Sequence, residues 1–215
     1  MLRASPACPL CFSYSAALLY EESGREFFAC STCSLAFLAR FNRLPPDQEK
    51  SRYLQHNNDI NDPRYRGFVR PLYEEVRKHV RTGASGLDFG SGTGPVLAEM
   101  LRNAGYKVSL FDPFFHKAYK ILGRTYDLIV ACEVVEHLFD PAAEFLRLRR
   151  MLHDGGVLGI MTLLWEEGID FASWHYRRDP THVVFYSQAT FRWIQRHYRF
   201  SGLWFPADRI VLLRA

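Results

Sequence analysis

The chain has 215 residues, of which 48% are hydrophobic and 23% charged, and its formal net charge is +4. This is the balance of an ordinary globular protein with one sizeable core. No apolar run is long enough to span a bilayer, so no membrane partner is expected. The N-terminal MLRASPACPLC lacks the apolar core of a secretory signal, and a cytoplasmic location is the expectation. The basic excess lies late, at 171–200, where five arginines face only Asp179.

The first forty residues hold four of the five cysteines. Cys8 and Cys11 form one C-x-x-C pair, Cys30 and Cys33 another, and Cys132 stands alone. In a reducing compartment such paired cysteines read as a metal site rather than disulfides. Two apolar segments between the pairs flank Ser23-Gly24, which predicts a hairpin. A hairpin between two knuckles is a zinc-ribbon layout, and four thiolates close the site, so the Zn²⁺ is structural. A segment this short cannot bury enough core alone, and metal binding supplies the missing folding energy. The ribbon is expected over 1–43, a linker with helices over 44–82, and the main domain over 83–215. Within the linker, Phe68, Leu72, Val76 and Val80 recur every four residues, and Pro71 is placed at the start of a helix.

From residue 85 strands and helices alternate. Strands are expected at 86–89, 107–111, 127–132, 157–164, 200–205 and 209–213. Helices are expected at 95–104, at 141–152, closed by Asp154-Gly155-Gly156, and at 187–197 behind a Ser cap. The pattern argues for an α/β fold with a mainly parallel sheet.

The first strand runs into LDFGSGTGPV, and a strand, a glycine loop and a helix make half of a nucleotide-binding crossover. Pro95 stands where a G-x-G-x-x-G motif needs glycine, and no G-K-[ST] triplet follows, so neither phosphate-cradling motif fits. Asp112 ends the next strand, where a carboxylate can accept bonds from both ribose hydroxyls.

LDFGSGTG, SLFD, YDLIVACEVVEHL and LHDGGVLGIMT together resemble the class I S-adenosylmethionine-dependent methyltransferases, over about residues 68–215. The resemblance implies a Rossmann-like sheet with helices on both faces and S-adenosylmethionine as cofactor. It implies that Asp88, Phe89, Gly90, Ser91, Gly92 and Gly94 line the cofactor and that Asp112 holds its ribose. The end of the DLIVAC strand, Cys132 and Glu133, then faces the methionine moiety. Only fourteen residues separate Asp112 from Asp127, where the family fits a helix, a strand and a further acidic residue near adenine. The third strand is therefore expected to be very short or missing, leaving Phe111, Pro113 and Phe114 as apolar contacts to the base.

Two further segments carry candidate chemistry. If Glu133 opens a helix, Glu133, Glu136 and His137 share a face that can bind a divalent cation, with His182 or, second, His175 completing the set. A similar E-x-x-E-H is linked to metal-assisted methyl transfer in small-RNA 2′-O-methyltransferases and ubiquinone-type O-methyltransferases. The same segment occurs in metal-free methyltransferases, where Glu136 and His137 orient loops or substrate. The segment after the 157–164 strand mixes Trp174, His175, Tyr176, Arg177 and Arg178, which suit a flat or anionic substrate. His182 is the first choice for a general base, because neutral imidazole accepts a hydroxyl proton near pH 7. The expected activity is methyl transfer to an O, N or C nucleophile of a small molecule, anionic ones included. The alternatives are an RNA methyltransferase using the Arg/aromatic region 174–199, and a non-catalytic binding module on the same fold.

Overall fold

The computed structural model describes residues 5–55, 59–166 and 168–215. Residues 56–58, within the stretch expected to be helical, lie outside the described residues.

Near the N-terminus, β1 (Ala16–Glu22) and β2 (Arg25–Cys30) form the expected hairpin, with Glu22 opposite Arg25. Ser23 and Gly24 both have positive φ, 51° and 78°, which matches the twist a two-residue turn requires. β3 (Ala36–Leu38) follows, and the sheet takes its fourth strand from far along the chain, β8 (Val184–Phe185), in the order β1-β2-β3-β8. A short 3-10 turn at Arg40–Asn42 leads to α1 (Pro46–Tyr53) and α2 (Pro63–Arg77). Asp62 caps α2 by accepting from the Arg64 amide, with Pro63 in the first turn. Pro71 lies inside α2, not at its start as expected. The buried stripe is Val69, Leu72 and Val76, while Phe68 lies at the surface, stacked on Tyr65.

The main sheet has six strands in the order β5-β4-β6-β7-β10-β9. They are β4 (Ser85–Phe89), β5 (Lys107–Phe111), β6 (Tyr126–Cys132), β7 (Leu152–Met161), β9 (Gly202–Ala207) and β10 (Ile210–Arg214). β5, β4, β6 and β7 are parallel, and β10 runs antiparallel between β7 and β9, so the sheet is mixed. Residues of each strand alternate between two layers. Leu128, Val130 and Leu212 join the core under α2 and α3 (Val96–Asn103). Ile129, Ala131 and Leu213 join the core under α4 (Pro141–Arg150) and α5 (Gln188–His197). That second core runs on without a break into the N-terminal sheet through Phe27, Phe37 and Phe185. α5 starts on the expected Ser cap, with Ser187 and Thr190 in a reciprocal capping box.

Two boundaries differ from the sequence reading. The 141–152 helix stops at Arg150, and Asp154-Gly155-Gly156 lies within β7 at a break in its register with β6, rather than closing the helix. Between β5 and β6 no strand occurs among the described residues. A 3-10 turn at Tyr119–Gly123 takes its place, which leaves β5 at the sheet edge. The strand order reverses at β4, flanked by β5 on one side and β6 on the other. A crevice must therefore open beyond the carboxyl ends of these strands.

Candidate active site

The glycine loop sits at that crevice. Gly90 and Gly92 have φ of 78° and 60°. The Gly90 and Ser91 amides both donate to Phe111 O, at 2.8 and 3.1 Å, so the end of β5 ties down the loop after β4. A Cβ on Gly90 would lie 2.5 Å from Val134 Cγ2, so only glycine lets the loop pass this close to the exit of β6. Asp112 is buried, and its carboxylate accepts from the Gly92 amide at 3.0 Å and from the Phe114 and Phe115 amides at 2.8 and 3.0 Å. One side chain thus sets both the loop and its own orientation.

These residues border a cavity of about 530 Å³, a size suited to a small organic ligand. Of the residues expected at the cofactor, Phe89, Gly90, Ser91, Gly92, Asp112, Pro113, Cys132 and Glu133 line it, and so does Phe114. Asp88 and Gly94 do not. Asp88 is 4% exposed beneath the loop, and burial pushes its carboxyl up to about 7. Tyr65, Thr93, Val134, Glu144 and Arg147 also line the cavity, as do Glu49 and Tyr53 of α1, and sequence reasoning missed them. The polar groups fit the expected cofactor. Glu133 Oε1 is buried with no hydrogen-bond donor among the described residues, and its nearest cation, Arg209 Nη1, is 3.6 Å away. An ammonium group such as that of a methionine moiety would satisfy it.

The EVVEH segment does not form the expected helix. Glu133 is left-handed, with φ of 51°, and only Val135–His137 make a 3-10 turn. Among the described residues the converging donors in this region are Glu136, His137 and His182, whose ligand atoms lie within 4.8 Å of one another, and not Glu133, Glu136 and His137. Glu136 is fully buried. It accepts from Thr162 Oγ1 at 3.0 Å and, closely, from the Tyr176 hydroxyl, which also reaches Glu133 Oε2 at 3.3 Å. Burial raises both carboxyls, Glu133 to about 8, where the charge of Glu136 adds to it, and Glu136 to about 7. Near neutral pH the pair therefore retains a proton.

Both imidazoles are set by backbone carbonyls. His137 Nδ1 donates to Thr181 O at 3.0 Å, and His182 Nδ1 donates to Tyr176 O at 2.7 Å. Each ring thus presents Nε2 as its acceptor nitrogen. The rings stand edge to face, 4.7 Å between centroids, and burial pushes the His137 pKa down, favouring the neutral ring. Val183 carries the N-terminal sheet into this site: Leu38 N donates to Val183 O, and Val183 N donates to Glu136 O.

A second cavity of about 380 Å³ shares His182 with the first and is also lined by Arg52, His175, Tyr176 and Arg178. Arg52 of α1 pairs with Asp179 at 2.8 Å across its rim. Burial works against the Asp179 charge, but Thr181 and Arg52 outweigh it and hold the carboxyl at about 2. The other expected substrate residues face elsewhere. Trp174 is buried among Phe171, Tyr176 and Phe185. Arg177 is 2% exposed and bonds Glu22, Tyr20 and the Phe171 carbonyl, clamping the loop to β1.

Away from this crevice, the four N-terminal cysteines are free thiols whose sulfurs lie within 4.8 Å of one another. The two knuckles repeat one geometry. Phe12 N bonds Cys8 O, and Ser34 N bonds Cys30 O, each at 2.9 Å, with Phe12 and Ser34 both left-handed. Cys8–Cys33 and Cys11–Cys30 are each 3.5 Å apart. That is near the spacing of about 3.8 Å for tetrahedral thiolates with metal–sulfur bonds of about 2.3 Å.

A reversed strand order, a glycine loop over the switch point and a carboxylate closing the next strand make a nucleoside-binding α/β crevice, as in the class I S-adenosylmethionine-dependent methyltransferases. The model of a family described as "Methyltransferase domain" matches residues 60–202, and the chain belongs to that family. Among solved structures, an O-methyltransferase family protein from Burkholderia thailandensis superposes with a TM-score of 0.52 at 16% identity. The match covers 77% of this chain and 61% of that one. The 1,6-didemethyltoxoflavin-N1-methyltransferase of the same organism, with bound 1,6-didemethyltoxoflavin and S-adenosylhomocysteine, gives 0.53 at 14% identity, covering 93% and 97% of the two chains. These likenesses show the fold. No curated protein matches the chain. Among the described residues no helix is long and apolar enough to cross a membrane.

Proposed function

We propose that this chain methylates an O, N or C nucleophile on a small, anionic molecule. The observation that carries the reading is the junction of two cavities at His182: one lined by the glycine loop and Asp112, the other by Arg178 and His175. Bound S-adenosylmethionine supplies an electrophilic methyl group on a sulfonium. Asp112 grips the ribose, and Glu133 faces the ammonium. Arg178 and His175 draw in the anionic end of the acceptor. His182 Nε2 takes the nucleophile's proton where the acceptor carries one, and Tyr176 with Glu136 holds the backbone on which His182 is set. Much of the rate comes from positioning, since the sulfonium is already activated.

Two hydrogen-bond donors already occupy the Glu136 carboxylate, which favours acid–base and positioning roles for Glu136, His137 and His182 over a divalent cation. The four cysteines hold a structural Zn²⁺ that braces β3, and through β3–β8 pairing braces the His182 segment. We keep the division into ribbon, linker and methyltransferase domain as a working one, with β8 shared between the first and last. The RNA alternative needs an exposed stacking platform, and Trp174 and Tyr176 are buried.

Methyl-labelled S-adenosylmethionine, incubated with the protein and either a small-metabolite fraction or total RNA, tests the reading. Label is expected in the metabolite fraction. Label in RNA alone would overturn it, and no transfer despite cofactor binding would favour a binding module.

A further inference from the structure

The structure leaves the adenine end of the cofactor without an evident carboxylate. β5 is the sheet edge, and residues 113–126 contain neither Asp nor Glu. An adenine presents an amino group beside a ring nitrogen, a donor next to an acceptor. Its partner must offer the reverse. Among the described residues four carboxylates line the cofactor cavity: Glu49, Asp112, Glu133 and Glu144. Asp112 is committed to three loop amides and the ribose. Glu133 stands at the end of β6 with Tyr176 and Arg209. Glu49 accepts from the Tyr53 hydroxyl at 2.6 Å, and Tyr53 packs on His137 and Phe114, with no cation beside it among the described lining residues. Glu144 is the one paired with an arginine that itself lines the cavity, Arg147. It lies in the first turn of α4. Arg147 Nη1 donates to both its oxygens at 2.9 Å, which sets an acceptor and a donor side by side. The same cavity offers the rings of Phe111, Phe114, Phe115 and Tyr119 as apolar walls for a flat base.

We propose that Glu144 and Arg147 of α4 read the adenine edge of the cofactor, Glu144 accepting from the 6-amino group and Arg147 donating to a ring nitrogen. This rests on the cofactor reading above. One helical turn, spacing an acceptor and a donor three residues apart on one face, replaces the missing strand. Glu144 is a specificity residue for the base and has no part in methyl transfer.

The test compares S-adenosylhomocysteine with S-inosylhomocysteine, in which a carbonyl oxygen replaces the amino group and the neighbouring ring nitrogen gains a hydrogen. Calorimetric titration of the full zinc-loaded chain is expected to favour the adenosyl compound by about tenfold or more. Glu144→Gln, whose amide can donate to the inosyl oxygen, is expected to narrow that ratio about tenfold with an unchanged unfolding midpoint. Equal binding of the two compounds by the wild type would overturn the assignment, as would a variant that keeps the wild-type ratio. Binding of neither compound by the wild type would instead bring down the cofactor reading, and this one with it.

Discussion

Asp88 gives the clearest stability prediction. Its carboxyl is buried, and burial pushes it up to about 7 from an ordinary 3.8, with the Ala98 amide and the Arg102 charge offsetting only part. The folded chain therefore holds this proton more tightly than the unfolded chain. The stability that the proton contributes is full below about pH 4 and is lost as pH rises toward 7. A gap of about 3 units at about 1.36 kcal/mol each sets an upper bound of about 4 kcal/mol, of which about 2–3 kcal/mol falls above pH 5. Asp88→Asn keeps the shape and cannot ionise. Urea unfolding of both proteins, zinc-loaded, from about pH 5 to about pH 8 should show the variant gaining about 2–3 kcal/mol on the wild type across the series. Zinc and the other carboxyls affect both proteins and cancel in the difference. Parallel stability profiles would refute the reasoning, because they would mean that Asp88 ionises at no cost.

Other perturbations act on separate parts of the molecule. Gly90→Ala places a Cβ 2.5 Å from Val134 at a φ of 78°. The strain and the displaced Val134 should weaken S-adenosylhomocysteine binding by about tenfold or more while circular dichroism stays native. Arg177→Ala removes a guanidinium 3% exposed from its bond to Glu22 and from the Phe171 carbonyl. The thermal midpoint should fall by about 5 °C, for a loss of about 2 kcal/mol. Cys33→Ser should abolish stoichiometric zinc in metal analysis and expose the N-terminal sheet to limited proteolysis.

The parts of the fold that were legible in the sequence are those set by local chemistry. Ser23-Gly24 predicts its hairpin because few other pairs tolerate two positive φ values. The glycine loop and Asp112 meet at one crevice because a close backbone approach and a strand-end carboxylate leave fixed spacings. What was missed depends on partners distant in sequence. Two residues of β8 become a strand only because β3 lies beside them. Glu133 was expected on a helix, but its amide bonds Met161 O on β7, and the chain there turns left-handed. Pro71 sits inside α2 because Val69, Leu72 and Val76 pack on the sheet on either side of it, and tertiary burial outweighs one lost backbone bond. Asp154-Gly155-Gly156 looks like a helix stop, yet the strand runs through it with a break in register. Arg177 was read as a substrate contact because its type suits anions, and only the fold shows that Glu22 claims it. Glu144 and Arg147 gave no signal in the sequence, since only the packing of α4 brings them to the cavity.

On the reading proposed above, Asp112 and the glycine loop hold the nucleoside of S-adenosylmethionine. Calorimetric titration of S-adenosylhomocysteine into the wild type and Asp112→Ala tests it most directly. Saturable binding is expected for the wild type, with a loss of about a hundredfold or more in the variant, which gives up both the ribose contact and the amides that shape the loop. Equal affinity in the two proteins would contradict it.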